Sequence, residues 1–295
     1  MVSTAVIAGL FPGQGSQTAD LRERVERVDP TLAERCIELV GDDPFARVGE
    51  STRFAQPAIF CASIAGWMEL SERVRPIALA GHSLGELSAL VAAGSLDPFS
   101  GLELAVRRGE LMAVGGATTQ EGMLAVIKAS DEQLTELADE HDVVVANDNA
   151  PGQAVLAGPV DRLRAASSAA RERGVRAILL DVAGAFHSPA MASAVEPFRA
   201  ALDGVEFRPP AIPVISGSTT RPFTDVRAEL AAAIVRPVRW RETMLALAGL
   251  GADAFVDFGP GEVLARLVTR NLPDALVIDV EALEPSDDLE SSGVA

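Results

Sequence analysis

The stretch Ile77-Ala-Leu-Ala-Gly-His-Ser-Leu-Gly-Glu-Leu-Ser-Ala-Leu-Val-Ala-Ala-Gly94 holds a short apolar run, a turn with a histidine and a serine between two glycines, and a helix-forming run closed by glycine. Polar residues at the end of a buried strand cost burial, so their presence asks for a function. Gly81-His82-Ser83-Leu84-Gly85 fits G-x-S-x-G, with a strand expected before it and a helix after it. That is the setting of a nucleophile elbow. A tight strand–helix turn pushes the serine into a sparsely populated backbone conformation at the sheet edge, and glycines on both sides relieve the clashes. The oxygen of Ser83 then stands at a helix N-terminus, where free N–H groups and the dipole favour negative charge. The bare pattern also arises by chance in a chain rich in Gly, Ala and Ser. The strand and helix around it favour the functional reading.

A nucleophilic serine needs a base, and the chain has three histidines. His82 flanks Ser83, leaves the turn in another direction and suits packing. His141 sits in an acidic junction with Asp139, Glu140 and Asp142 and reads as solvated. His187 lies in Ala183-Gly-Ala-Phe-His-Ser-Pro-Ala-Met191, a charge-poor stretch that follows a strand and precedes a helix with Pro189 in its first turn. It is the sensible base for Ser83, although a lone histidine there also serves as a satisfied structural residue.

Further out, AVIAGLF (5–11), RPIALAG (75–81), AIPVISG (211–217) and DAFVDFG (253–259) are near-continuous apolar runs that end in or just before glycine. Runs of this kind suit buried parallel strands. Amphipathic stretches such as LRERVERVDPTLAERCIELV lie between them, so the chain reads as an α/β fold with a parallel sheet and helices on both faces. Residues 122–183 differ. GMLAVIKA is a strand. SDEQLTELADEH opens with a capping box, Ser130 with Gln133 three residues on. DVVVANDN and QAVLAGP form a hairpin around Asn149-Ala-Pro-Gly152. VDRLRAASSAARERG is a helix stopped by Gly174, and VRAILLDV is a strand. This β-α-β-β-α-β order is that of a ferredoxin-like unit, inserted into the larger fold. After Glu281 the chain is polar and acidic and is expected to fray.

Composition bounds the partners. The 295 residues suit one large domain, or one with a smaller insert. Tyr is absent and aromatics are 4%, so the core must be aliphatic. No apolar run approaches the ~18 residues of a membrane span. The start, MVSTAVIAGLFPGQG, lacks a basic leader and reads as a first strand rather than a signal peptide. Two cysteines, Cys36 and Cys61, are too few for a disulfide framework, which points to a reducing cytoplasm. The formal charge of −17 argues against nucleic acid and anionic membranes. An acidic partner would need a local basic patch, and with Lys128 the only lysine, arginine must supply it.

Phe11-Pro-Gly-Gln-Gly-Ser-Gln17, Gln56-Pro57, Gly81-His-Ser-Leu-Gly-Glu86, Arg108-Gly109, Asn149-Ala-Pro-Gly-Gln153, Gly184-Ala-Phe-His-Ser188 and Phe258-Gly-Pro-Gly261 together resemble the malonyl-CoA:acyl-carrier-protein transacylases, over about residues 5 to 270. This family includes stand-alone fatty-acid enzymes and discrete polyketide acyltransferases. The resemblance implies an α/β fold with a hydrolase-like parallel-sheet domain over 1–118 and 187–295, and an inserted ferredoxin-like small domain over 119–186. It implies that Ser83 attacks malonyl-CoA with His187 as base, that backbone N–H groups of Gln14 and Leu84 hold the oxyanion, and that a holo acyl carrier protein receives the malonyl group on its phosphopantetheine thiol. A backbone carbonyl near Ala233 to Val235 would orient the imidazole. The substrates are thioesters, and neither a cofactor nor a metal is implied. The family expectation is a monomer.

Selectivity rests on Arg108, whose guanidinium fork can grip a free carboxylate that acetyl groups lack. Met112 shares its helical face at i+4, and Gln56 joins the substrate-binding set by resemblance. The neighbouring Arg107 reads as a solvated surface residue. Phe186 before the base goes, in related polyketide enzymes, with malonyl rather than methylmalonyl, because its ring crowds an α-substituent. Relatives often carry Asn-Pro-Val-x-Trp where this chain has Arg236-Pro-Val-Arg-Trp240. Arg236 and Arg239 could add positive potential at the site mouth. Arg162, Arg164, Arg171, Arg173 and Arg176 on the insert read equally as a docking patch or a solvated face. The open alternatives are an editing thioesterase acting on carrier-bound acyl groups, a discrete polyketide acyltransferase with another extender, an esterase or lipase, and a non-catalytic docking subunit.

Overall fold

The computed structural model describes residues 5–117, 120–182 and 184–278. In chain order its elements are β1 (Ile7–Phe11), α1 (Leu21–Val28), α2 (Pro30–Val40), α3 (Thr52–Leu70), β2 (Ala78–Gly81), α4 (Gly85–Ala92), α5 (Pro98–Ala117), β3 (Glu121–Ile127), α6 (Asp131–Glu140), β4 (Val144–Ala150), β5 (Gln153–Pro159), α7 (Val160–Glu172), β6 (Arg176–Leu179), α8 (Ala192–Asp203), β7 (Val214–Ile215), α9 (Val226–Ala233), β8 (Val238–Arg239), α10 (Trp240–Gly249), β9 (Ala254–Asp257), α11 (Val263–Asn271) and β10 (Leu276–Ile278). A short 3₁₀ turn, Pro189–Met191, precedes α8. The acidic segment after Glu281 lies outside the described residues.

Five strands form an all-parallel sheet in the order β10-β9-β1-β2-β7. Their residues are apolar on both sides because helices cover both faces. On one face the core runs through Phe11, Leu79, Phe258 and the buried helix α3. On the other, Ala8, Leu10, Ala80 and Phe255 pack with Trp240, Met244 and Leu247 of α10 and Leu264 of α11. With no tyrosine, large contacts fall to a few rings: Phe11 stacks on Phe258 at 5.3 Å, and Trp67 meets Phe258 edge-on at 5.0 Å. Among the described residues no helix is long and apolar enough to cross a membrane.

The second sheet has the order β6-β3-β5-β4-β8. Its first four strands pair antiparallel, with the order and connections of a ferredoxin-like unit. The Ser130 capping box is present, and Gly174 ends the α7 turn with φ 74°. One face of this sheet packs Leu124, Val126 and Leu156 against Leu137 of α6 and Leu163 of α7. The other face, through Met123 and Ala157, joins the main core.

Three strands differ from the sequence expectation, among them β10, which joins the parallel sheet outside the four runs read as strands. The run 211–217 keeps only Val214–Ile215 in the ladder, because Pro213 has no N–H to donate and a turn starts at Ser216. β8 adds a fifth strand to the small sheet, pairing parallel with β4 through Asn147↔Val238 and Asp148↔Arg239. Two residues are too few to show a period.

Candidate active site

β2 ends at Gly81 and α4 begins at Gly85, so Ser83 stands in the turn between them with φ 55°. A non-glycine residue there is strained. Glycine is obligatory on both sides. A Cβ on Gly81 would stand 1.9 Å from the carbonyl carbon of Gly85, and one on Gly85 would stand 2.0 Å from the Phe11 carbonyl oxygen. Leu84 is the N-cap of α4. The next N–H groups are occupied, Gly85 donating to the His82 carbonyl and Glu86 to the Ser83 carbonyl. Gln14 lies exposed in the loop after β1 and lines a cavity together with Phe186.

The Ser83 Oγ lies 2.7 Å from Nε2 of His187, 104 positions along the chain. His187 Nδ1 lies 2.9 Å from the carbonyl oxygen of Ala233. A carbonyl only accepts, so Nδ1 carries the proton and donates it. Nε2 is then bare and accepts from the Ser83 hydroxyl. His187 is 4% exposed and itself has φ 58°. Ser188 pins the loop by donating to the Ala185 carbonyl at 2.6 Å. Burial first, then the charge of Arg108, holds the imidazolium down to about 3, against the pull of the Ala233 carbonyl. The ring is therefore neutral, as a base must be.

Arg108 reaches the same serine from α5. Its Nη2 donates to Ser83 Oγ at 3.0 Å and its Nη1 to Gln56 Oε1 at 2.8 Å. Gln56 is held in turn, its Nε2 donating to Thr52 Oγ1 at 2.9 Å and to Met112 Sδ at 3.3 Å. The guanidinium is 5% exposed. Burial lowers it to about 10, with Glu86 pulling the other way. Among the described residues it makes no ion pair. A buried cation without a bonded anion can receive a carboxylate. Beside this group opens a cavity of about 340 Å³, lined by Gln14, Ser51, Thr52, Val114, Val182 and Phe186, with Glu50 and Asp181 also on its wall.

Ser83, His187, Arg108, Gln56 and Met112 of the sequence-derived set are joined by hydrogen bonds, Leu84 follows the serine, and Gln14 and Phe186 line the cavity that Thr52 shares. His82 stays out of the dyad. Its Nε2 lies 2.8 Å from Asn149 Oδ1, and its ring packs 5.3 Å from that of Trp240. His141 departs from its solvated reading: it is half-buried at the end of α6, with Nε2 enclosed and unbonded. Arg107 pairs with Glu110 on the surface. Three of the seven arginines in the proposed basic patches are ion-paired. Arg239 is forked onto Glu242, Arg162 pairs with Asp142, and Arg173 pairs with Glu136 and Glu140. Sequence reasoning passed over Glu86, buried at 3% exposure behind Arg108. Its signal was a carboxylate inside an otherwise apolar helix, three residues after the serine.

Residues 10–288 match the family model described as the acyl transferase domain. The chain belongs to the acyl transferase family. Its relatives include the polyketide biosynthesis malonyl CoA-acyl carrier protein transacylase PksC of Bacillus subtilis (strain 168), 36% identical over 92% of this chain and 98% of PksC. The polyketide biosynthesis protein ThaF of Burkholderia thailandensis is 37% identical over 90% of this chain. The acyltransferase spans only 24% of ThaF. Among solved structures it is similar to a malonyl-transacylase in complex with its type II polyketide synthase acyl-carrier protein, with a TM-score of 0.84 and 30% identity over 92% of this chain and 95% of that one. The resemblance carried by the seven motifs therefore holds across nearly the whole acyltransferase.

Proposed function

We propose that the chain moves a malonyl group from malonyl-CoA to the phosphopantetheine thiol of an acyl carrier protein, through a malonyl ester on Ser83. The observation that carries this reading is the sharing of one hydroxyl between a base and a carboxylate receptor: Ser83 Oγ touches both His187 Nε2 and Arg108 Nη2. The relatives, PksC above all, a malonyl CoA-acyl carrier protein transacylase, support the substrate pair, and the solved complex supports a carrier partner.

In the first half-reaction Oγ attacks the thioester carbonyl and its proton passes to Nε2. The oxyanion is held by backbone N–H groups of Gln14 and Leu84. The intermediate collapses, the C–S bond breaks, and CoA leaves as thiol with the proton from Nε2. In the second, Nε2 takes the proton of the carrier thiol, sulfur attacks the ester carbonyl, and Oγ leaves with that proton. One base serves both steps, so the kinetics are ping-pong. The Ala233 carbonyl keeps the tautomer throughout. Arg108 turns its fork to the malonyl carboxylate, leaving Gln56 and Met112 as its floor. The Phe186 ring stands over the α-carbon and disfavours a methyl there by about 1–3 kcal/mol.

The test is intact-protein mass spectrometry after brief exposure to malonyl-, methylmalonyl- and acetyl-CoA, followed by addition of a holo acyl carrier protein. The expected result is a malonyl adduct that is absent in Ser83→Ala and moves to the carrier. A methylmalonyl adduct should form more slowly and an acetyl adduct hardly at all. Preferential acetylation, or loss of the adduct to water with none reaching the carrier, would overturn the reading.

A pH prediction follows from the same geometry. The base works in its neutral form, which persists above about 3 rather than above the ordinary histidine value of 6.5. The rate of Ser83 acylation should therefore stay level as pH falls from 8 through 6.5, where an exposed histidine would halve it. Stopped-quench mass spectrometry across that range checks this.

A further inference from the structure

Glu86 is the one buried carboxylate beside the site that the proposed chemistry leaves without a task. It is anchored at the elbow, its own N–H donating to the Ser83 carbonyl at 3.1 Å. Its Oε1 accepts the N–H of Gly217 at 2.7 Å, bridging 131 positions. Gly217 belongs to the turn that leaves β7, and its carbonyl accepts the N–H of Arg239 in β8 at 2.7 Å. β8 follows the segment whose Ala233 carbonyl holds His187, and it is paired to β4 of the small sheet. A closed circuit results. It runs from Ser83 through Glu86, Gly217 and β8 to the Ala233 segment, then through the His187 ring back to Ser83.

We propose that Glu86 is a positioning residue: its carboxylate oxygen, bonded to Gly217, sets the elbow that carries Ser83 against the segment that orients His187. The idea rests on Ser83 and His187 being the reacting pair. A serine–base contact of 2.7 Å between residues from separate segments needs a rigid frame. The bond from Glu86 to Gly217 is a buried tie between the two halves of that frame behind the reacting atoms, and the Ser216 hydroxyl also hydrogen-bonds the carboxylate. Arg108 and Glu229 are the charged groups that act on the carboxylate across this space, one attracting and one repelling. Burial raises it to about 7, and a carboxyl oxygen at that reach accepts the Gly217 N–H in either protonation state.

Two substitutions separate reach from charge. Glu86→Gln keeps an acceptor oxygen at the same distance. Glu86→Asp keeps the charge and shortens the reach by one methylene. The probe is phenylmethylsulfonyl fluoride, which reports serine reactivity without any acyl-CoA. Oγ attacks sulfur, the S–O bond forms as S–F breaks, fluoride leaves, and the serine proton passes to His187. Labelling rates are read by intact mass, folding by circular dichroism and thermal melting, and malonyl-CoA acylation in parallel.

Glu86→Gln is expected to label within about threefold of the native rate. Glu86→Asp should label about tenfold to a hundredfold more slowly, the cost of a nucleophile misplaced by up to about an ångström. In Glu86→Asp the malonyl-CoA concentration for half-maximal acylation should hold within about twofold while the maximal rate falls. Native labelling by Glu86→Asp overturns the proposal. So does a Glu86→Gln protein as slow as Glu86→Asp, or a rate loss that merely tracks the unfolded fraction in the melt. A native chain that labels with the sulfonyl fluoride but never with malonyl-CoA would instead sink the substrate reading and leave this test standing.

Discussion

Ser83→Ala is expected to abolish acylation by malonyl-CoA, and His187→Ala to lower it by about 10⁴- to 10⁶-fold, with little change in the affinity for malonyl-CoA. Removing the hydroxyl removes the acceptor of the acyl group, and no adduct should appear. Removing the imidazole leaves Oγ with Arg108 as its remaining side-chain partner, a donor that stabilises negative charge but takes no proton. The single-turnover rate of adduct formation, read by mass in the native chain and in His187→Ala, checks this. A His187→Ala rate near the native one would mean that a second base works at the site. The ring is oriented by the Ala233 carbonyl rather than by a carboxylate, so no acidic residue should show a comparable loss.

Arg108→Ala is expected to reverse the acyl preference. The guanidinium is nearly enclosed, it rests on Gln56 Oε1 and Ser83 Oγ, and it makes no ion pair among the described residues. A malonyl carboxylate supplies the missing anion, and truncating one side of such a buried charged contact costs 2–5 kcal/mol, or roughly 30- to 4,000-fold in kcat/KM. An acetyl donor loses nothing by the change and gains a serine lone pair no longer occupied by Nη2. Acetyl-CoA should therefore acylate Arg108→Ala at least as fast as the native chain. Paired kcat/KM values for the two donors decide it. An equal fall for both would make Arg108 a support for the dyad and not a selector.

Legibility followed the range of the interactions. The elbow was plain because its requirements are local: two glycines that no side chain can replace, a strand before, a helix after. The small unit was plain for the same reason, since its capping box, its hairpin turn and its stop at Gly174 are each written within a few residues. The charge of −17 turned attention to arginines, but not to which of them pair with an acid.

By itself, then, the sequence determined the strand–turn–helix that bears Ser83, the alternation that makes the parallel sheet, and the order of the ferredoxin-like unit. Each depends on spacing, which a sequence displays. Only the tertiary structure decided that Arg108 and His187 converge on one oxygen from 25 and 104 positions away, and that the Ala233 carbonyl sets the tautomer. It also decided that Glu242, Asp142, Glu136 and Glu140 pair with Arg239, Arg162 and Arg173, three of the seven arginines read as docking groups, and that Glu86 joins Gly217. The physical reason is common to all four. A backbone carbonyl carries no residue signature, and an ion pair or buried hydrogen bond between distant segments depends on how the helices and sheets pack.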